Sequence, residues 1–234
     1  MSIITVLKDA LLHIFYPHIC AGCGSDILPA TSQLCVSCIH QLPITGFENQ
    51  PDNPIEKKLT GRIAFGKATA QLYFDKLAPI QQMMHAFKYR GNKELGHQLG
   101  LIMGNQLFQS NRFRYMEALI PLPLHENKQR KRGYNQAAIL CHGIAEILKI
   151  PVLTDVVTRS EATDSQTKKN AIERWDNMKG KFVLNDATSI ENKQVLLVDD
   201  VITTGATLEA CANALAAAAG VGIHIATLCC ASKI

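Results

Sequence analysis

Gln194-Val-Leu-Leu-Val-Asp199-Asp200-Val-Ile-Thr203-Thr204-Gly205-Ala206-Thr207-Leu208 runs an apolar strand into two adjacent acids, then a Thr/Gly turn, then an Ala-rich helix ending near Gly220. A strand-loop-helix unit of this kind aims backbone N–H groups and the positive end of a helix dipole at one spot, so it expects an anion. The hydroxyls of Thr203, Thr204 and Thr207 add donors. Asp199 and Asp200 sit where the strand gives out, at the carboxyl edge where open α/β sheets place ligands. Carboxylates beside an anion are costly unless they face sugar hydroxyls or a cation, so the pattern expects a ribose phosphate. The G-K-[ST] of a P-loop and the G-x-G-x-x-G of a dinucleotide fingerprint are both missing. The blander alternative is a pair of acids that merely caps a helix after a buried strand.

Around this unit, strand and helix patterns alternate. Ala68 to Phe74, Ala118 to Leu122, Gln194 to Asp199 and Val221 to Cys230 read as strands; Ile80 to Phe87, Asn135 to Leu148 and Thr207 to Ala219 read as helices. That alternation predicts an α/β fold with a mainly parallel sheet flanked by helices. The polar stretch from Thr158 to Lys181 is too long for an ordinary connection and is expected to be a mobile functional loop.

A second signal lies near the start of the chain. Cys20-Ala-Gly-Cys23 and Cys35-Val-Ser-Cys38 are two C-x-x-C knuckles separated by eleven residues, the spacing that gathers four thiolates around one tetrahedral zinc. Such a closed site is structural, holding a short segment that has little apolar core. Structural thiols or a redox pair are the alternatives. Cys141, Cys211, Cys229 and Cys230 lie in apolar patterns and are expected in the core. Ile3, Leu7, Ala10, Leu11 and Ile14 share one face of an opening amphipathic helix. Pro43 to Pro54, rich in proline and amides, reads as a linker. The expected division is residues 1–45 as helix and zinc module, 46–60 as linker and 61–234 as the α/β domain.

Composition sets limits. The chain has 234 residues and a net charge of +4, with 47% hydrophobic residues, which supports a real core and excludes a disordered or fibrous protein. A pI near 8.6 suits a phosphate ligand and falls short of a dedicated nucleic-acid binder. No apolar run reaches the ~18 residues of a membrane span, and the cysteines are not spaced as a secreted disulfide framework, so a cytoplasmic protein is expected.

Residues 195 to 208 resemble the type I phosphoribosyltransferase signature, and nearly the whole chain resembles the ComF/GntX family of competence-associated phosphoribosyltransferase-like proteins. The resemblance rests on the knuckles (double zinc ribbon-like), Phe87-Lys88-Tyr89-Arg90-Gly91, Pro121-Leu-Pro-Leu-His125 with Arg130, Arg132-Gly133-Tyr134-Asn135-Gln136, and Thr163, Gln166, Arg174 and Asn177. It implies a type I phosphoribosyltransferase fold that binds 5-phosphoribosyl 1-pyrophosphate (PRPP) with Mg²⁺ and transfers the phosphoribosyl group to an unnamed acceptor. Asp199 and Asp200 would hold the ribose hydroxyls, and Thr203, Thr204, Gly205, Ala206 and Thr207 the 5′-phosphate. Lys128, Arg130, Lys131 and Arg132 would meet the departing pyrophosphate, with Lys88 and Arg90 as a second clamp. His125, Asn135 and Gln136 join this set as substrate-binding residues, and Arg174 would act from the mobile loop. A solvated basic loop is the plain alternative. Other readings are a PRPP sensor with little turnover, a protein partner docked on the zinc module, or a role in DNA uptake through single-stranded DNA. Between Cys20 and Cys38 there is no Lys, Arg or aromatic residue, which disfavours strand binding there.

Overall fold

In the computed structural model, residues 18–74, 79–159 and 182–231 are described. The expectations for the opening helix and for Thr163, Gln166, Arg174 and Asn177 fall outside them.

Four strands form the main sheet: β1 (Ala68–Phe74), β2 (Ala118–Pro121), β5 (Gln194–Ile202) and β6 (Gly222–Ala231), all parallel, in the order β1-β6-β5-β2. β5 and β6 are central and nearly continuous in Val, Leu, Ile, Ala and Cys, as expected of strands covered on both faces. Their side chains alternate between two cores. Leu196, Val198 and Ala226 face α3 (Pro79–Tyr89), α4 (Lys93–Gln109) and α6 (Gln136–Leu148); Val195, Leu197, Ile223 and Ile225 face α2 (Pro54–Leu59) and α7 (Ala206–Leu215). Two short helices complete this part of the chain, α1 (Val36–His40) and α5 (Glu126–Arg132).

Strand β5 runs three residues past Asp199, because Val201 and Ile202 still pair with Cys229 and Cys230 of β6. The acidic pair therefore lies within the strand rather than at its end. On the other side β2 stops at Pro121, opposite Val198. Among the described residues β5 has, from Asp199 onward, a strand neighbour on one side only, and that step in the sheet's carboxyl edge places the two acids in the lining of a cleft.

Two regions depart from the sequence expectation. Thr158 and Arg159 belong to β3 (Val157–Arg159), which pairs antiparallel with β4 (Phe182–Leu184), so the polar stretch begins in a strand; residues 160–181 of the expected mobile loop lie outside the described residues. Residues 43–60 pack closely instead of linking. Ile44 bridges Leu72 of β1, Tyr73 N–H donates to Pro43 O at 2.8 Å, and Phe47, Ile55 and Leu59 are buried. Asn53 holds the stretch together: its Nδ2 donates to the carbonyls of Phe47, Gln50 and Ala68, and its Oδ1 caps α2. Covering the β1 edge in this way also blocks edge-to-edge pairing.

The 17-residue α4 crosses α6 at very short range. A Cβ on Gly100 would collide with the Leu140 carbonyl, and one on Gly143 with the His97 carbonyl. Backbone cannot step aside as a side-chain tip can, so Gly143→Ala is expected to cost about 3 kcal/mol. Urea denaturation measures this; an unchanged midpoint would show that the helices separate freely.

Candidate functional site

At the step in the sheet edge, a cleft of about 280 Å³ is lined by Lys88, Lys128, Arg132, Asn135, Gln136, Arg159, Asp199, Asp200, Thr203 and Thr207, with Leu122 to Leu124 from the turn after β2. Adjacent residues of a strand point to opposite faces, and the acids divide accordingly. Asp200 Oδ2 pairs with Lys88 Nζ at 2.9 Å and lies 3.9 Å from an Arg132 guanidinium nitrogen. Asp199 is placed toward the other core, electrostatically coupled to Arg159 and Cys211. Burial and then the Asp200 charge raise the Asp199 carboxyl to about 7, against the smaller opposing effect of the Asp200 N–H, which donates to Asp199 Oδ1 at 2.7 Å. Burial lowers the Arg159 pKa, and the Asp199 carboxylate works the other way.

Each wall has a local cause. Asn135 caps α6 by accepting from the Ala137 N–H and donates to Leu122 O at 3.0 Å, tying the turn after β2 to the helix. Arg132 is held by Gln136 Oε1 at 2.7 Å and lies over the Tyr89 ring. Gln136 is buried, and among the described residues its Nε2 has no hydrogen-bond partner. An orphaned buried donor in a cleft wall is the kind of group a bound oxygen satisfies. The turn at 203–205 ends in Gly205 at φ 79°, the left-handed conformation that lets α7 start with its N–H groups outward.

Of the sequence candidates, Lys88, Arg132, Asn135, Gln136, Asp199, Asp200, Thr203 and Thr207 share this cleft, with Thr204 and Gly205 in the turn between them and Ala206 opening α7. Three stand elsewhere. Arg90 lines a separate cavity with Cys20 and His85, His125 caps α5 through its Nδ1, and Arg130 lies on α5 outside the cleft lining. Lys88, expected as a clamp for an anion, is instead the counter-ion of Asp200. Arg159 was missed in the sequence, where nothing marks it beyond its position at the start of the polar stretch.

The second cluster is sulfur. The Sγ atoms of Cys20, Cys23, Cys35 and Cys38 lie within 4.8 Å of one another, and the group could hold a metal ion such as zinc. Tetrahedral zinc with Zn–S of about 2.3 Å requires S–S separations of about 3.8 Å; Cys23 and Cys35 stand at 3.7 Å. Burial works to raise the Cys20 thiol, but N–H groups of Cys35, Cys23 and Gly22 outweigh it and bring it down to about 6. Burial and the neighbouring thiols push Cys38 up. The knuckles do not stand apart as a module without a core. Cys20, Leu34, Cys35 and Cys38 join the cluster of Met83, Phe87 and Leu95, and Gln33 N–H donates to Gln98 Oε1 at 2.8 Å. The remaining cysteines, Cys141, Cys211, Cys229 and Cys230, are buried in the core as expected.

Residues 135–233, which contain the acidic pair, the Thr/Gly turn and the two central strands, match the phosphoribosyl transferase domain family. Competence protein F of Haemophilus influenzae is 29% identical over 197 residues, covering 82% of this chain and 76% of that protein. DNA utilization protein YhgH of Escherichia coli is 25% identical over 158 residues, 66% of this chain and 69% of its own. Competence protein ComFC of Bacillus subtilis is 27% identical over 137 residues, 58% of this chain and 53% of its own. The parallel sheet with its flanking helices is a type I phosphoribosyltransferase fold, with a four-cysteine cluster at its N-terminal side. The relatives with these names support the ComF family for this chain. Among the described residues no helix is long and apolar enough to cross a membrane.

Proposed function

We propose that the protein binds PRPP with Mg²⁺ in this cleft and transfers its phosphoribosyl group to an acceptor. The observation that carries this reading is the gathering, in one cleft, of an acidic pair, a Thr/Gly turn at a helix start, the cations Lys128 and Arg132, and the orphaned Gln136 Nε2. In this reading Asp199 and Asp200 accept from the ribose 2′- and 3′-hydroxyls, and the N–H groups of residues 203–207 meet the 5′-phosphate. Lys128, Arg132 and Gln136 Nε2 face the pyrophosphate. The C1–O bond breaks with its electron pair leaving on pyrophosphate, while the acceptor's lone pair forms the new bond to C1 and its proton is released. Cations matter most as that charge develops.

The Asp199 and Asp200 carboxylates fit Mg²⁺, a hard cation taken by oxygen donors: Asp199 holds its proton to about pH 7 for want of a nearby positive charge sufficient to offset burial and Asp200. Bound there, Mg²⁺ would neutralise pyrophosphate charge. Four thiols gathered within 4.8 Å of one another fit zinc, which we assign a bracing role because the knuckles pack on α3 and α4. Free thiols placed this way suit the reducing cytoplasm.

Calorimetric titration with PRPP and Mg²⁺, followed by a pyrophosphate-release assay across candidate bases and amines, tests the reading. Binding with acceptor-dependent release is expected. Binding without release would leave a sensor, and no binding would refute the assignment.

A further inference from the structure

The phosphate turn is gripped from behind by two cations of a segment that carries no motif. Lys58 Nζ, on α2, donates to Thr203 O at 2.9 Å, and the Arg62 guanidinium donates to Thr204 O at 2.6 Å. The same guanidinium pairs with Glu209 Oε2, through one nitrogen at 2.6 Å and Nε at 3.1 Å, and Glu209 lies in the first turn of α7. Leu59, fully buried between the two cations in sequence, closes the space beside Gly205, where a Cβ would meet its Cδ2 at 2.8 Å.

The consequence follows from peptide geometry. In a trans peptide the C=O of one residue and the N–H of the next point in opposite directions. A cation that holds the Thr203 carbonyl therefore aims the Thr204 N–H away from α2, and one that holds the Thr204 carbonyl aims the Gly205 N–H the same way. A charge-assisted bond at a carbonyl also polarises its peptide and strengthens the donor on the far side. We propose that Lys58 and Arg62 are positioning residues that fix the Thr204 and Gly205 N–H groups as a preformed cradle for the 5′-phosphate. Neither touches the ligand. Arg62 further locks the turn to α7 through Glu209, so that cradle and helix N-terminus share one orientation.

This inference rests on the reading of residues 203–207 as the 5′-phosphate site, and the test separates the two. The full chain, Lys58→Met, Arg62→Met and Arg62→Lys are titrated with ribose 5-phosphate and, separately, with inorganic pyrophosphate, both in Mg²⁺. The two methionine variants are expected to bind ribose 5-phosphate about tenfold more weakly and pyrophosphate within about twofold of the parent, with Arg62→Lys recovering part of the loss. A loss of fold would weaken pyrophosphate equally, and a mere loss of positive field would be fully restored by the charge-keeping Arg62→Lys; either result would overturn the proposal. Unchanged ribose 5-phosphate affinity in both methionine variants would overturn it too. If the parent itself takes up no ribose 5-phosphate, the cradle reading fails and carries this inference with it.

Discussion

Replacing Asp199 and Asp200 together by Asn is expected to weaken PRPP and ribose 5-phosphate binding by at least about 100-fold while the protein stays folded. Each carboxylate is assigned a hydroxyl, and a hydrogen bond to a charged group contributes about 1.5–3 kcal/mol, so losing two removes two or more powers of ten. The single change Asp199→Asn separates site from scaffold through pH. The folded Asp199 titrates near 7, raised by burial and by the Asp200 charge, against an ordinary value of 3.8. Below about pH 4 it is protonated in folded and unfolded chains alike and costs nothing. Between 4 and 7 the unfolded chain ionises while the folded one retains its proton, so stability falls as pH rises, and the full penalty is reached above 7. Asp199→Asn should therefore raise the melting temperature at pH 8, by about 2–4 °C for each kcal/mol relieved, and hardly change it at pH 4. Scanning calorimetry at the two pH values checks the sign. An equal gain at both, or intact ribose 5-phosphate affinity in the double variant, would remove Asp199 from the role assigned to it.

Why so much of this site was legible in the sequence is a matter of range. The unit from Gln194 to Leu208 is local: an apolar run, acids, a turn glycine and a helix follow one another, and the structure places them as β5, the turn and α7. The cysteine knuckles are local in the same sense. What escaped depends on distant partners. Pro43 to Pro54 looks like a linker because Pro, Asn and Gln are frequent there, yet Asn53 is buried and satisfied by carbonyls as far away as Ala68. Helix α4 carries Leu95, Leu99, Met103 and Leu107 on a buried face but interleaves Gly96, Gly100 and Gly104, which lower its helical signal and make sense only beside their distant neighbours: Phe87 of α3 for Gly96, Gly143 of α6 for Gly100, and Ile144 and Ile147 for Gly104. Lys58 and Arg62 belong to no motif, and only the folded chain shows their carbonyl partners 145 and 142 residues away. Asp200 and Lys88 are likewise joined by topology: the end of α3 meets β5 only because β1 and β6 bring that face together.

Removing the zinc proposed for the cysteine cluster is expected to produce the largest loss of stability. One zinc per chain should be found by elemental analysis, and Cys23→Ser should lose it. Cys23 is the exposed member of the four, so the change leaves no cavity in the core and reads the metal rather than the packing. The consequence extends beyond the knuckles because Cys20 and Cys38 share one buried cluster with Met83 and Phe87 of α3, the helix whose last turn carries Lys88. Structural zinc contributes about 10–16 kcal/mol in isolated fingers; here the packed face already supplies part of the order, so a fall of about 10 °C or more in melting temperature is the expected scale. Lys88 ties the two sites together. If the module braces α3, the Cys23→Ser protein should bind PRPP several-fold more weakly near its melting transition but close to normally at 15 °C, where α3 is still docked. Full metal content in the variant would dispose of the zinc assignment, and a melting temperature equal to the parent's would show that the cysteine cluster stands outside the cooperative fold.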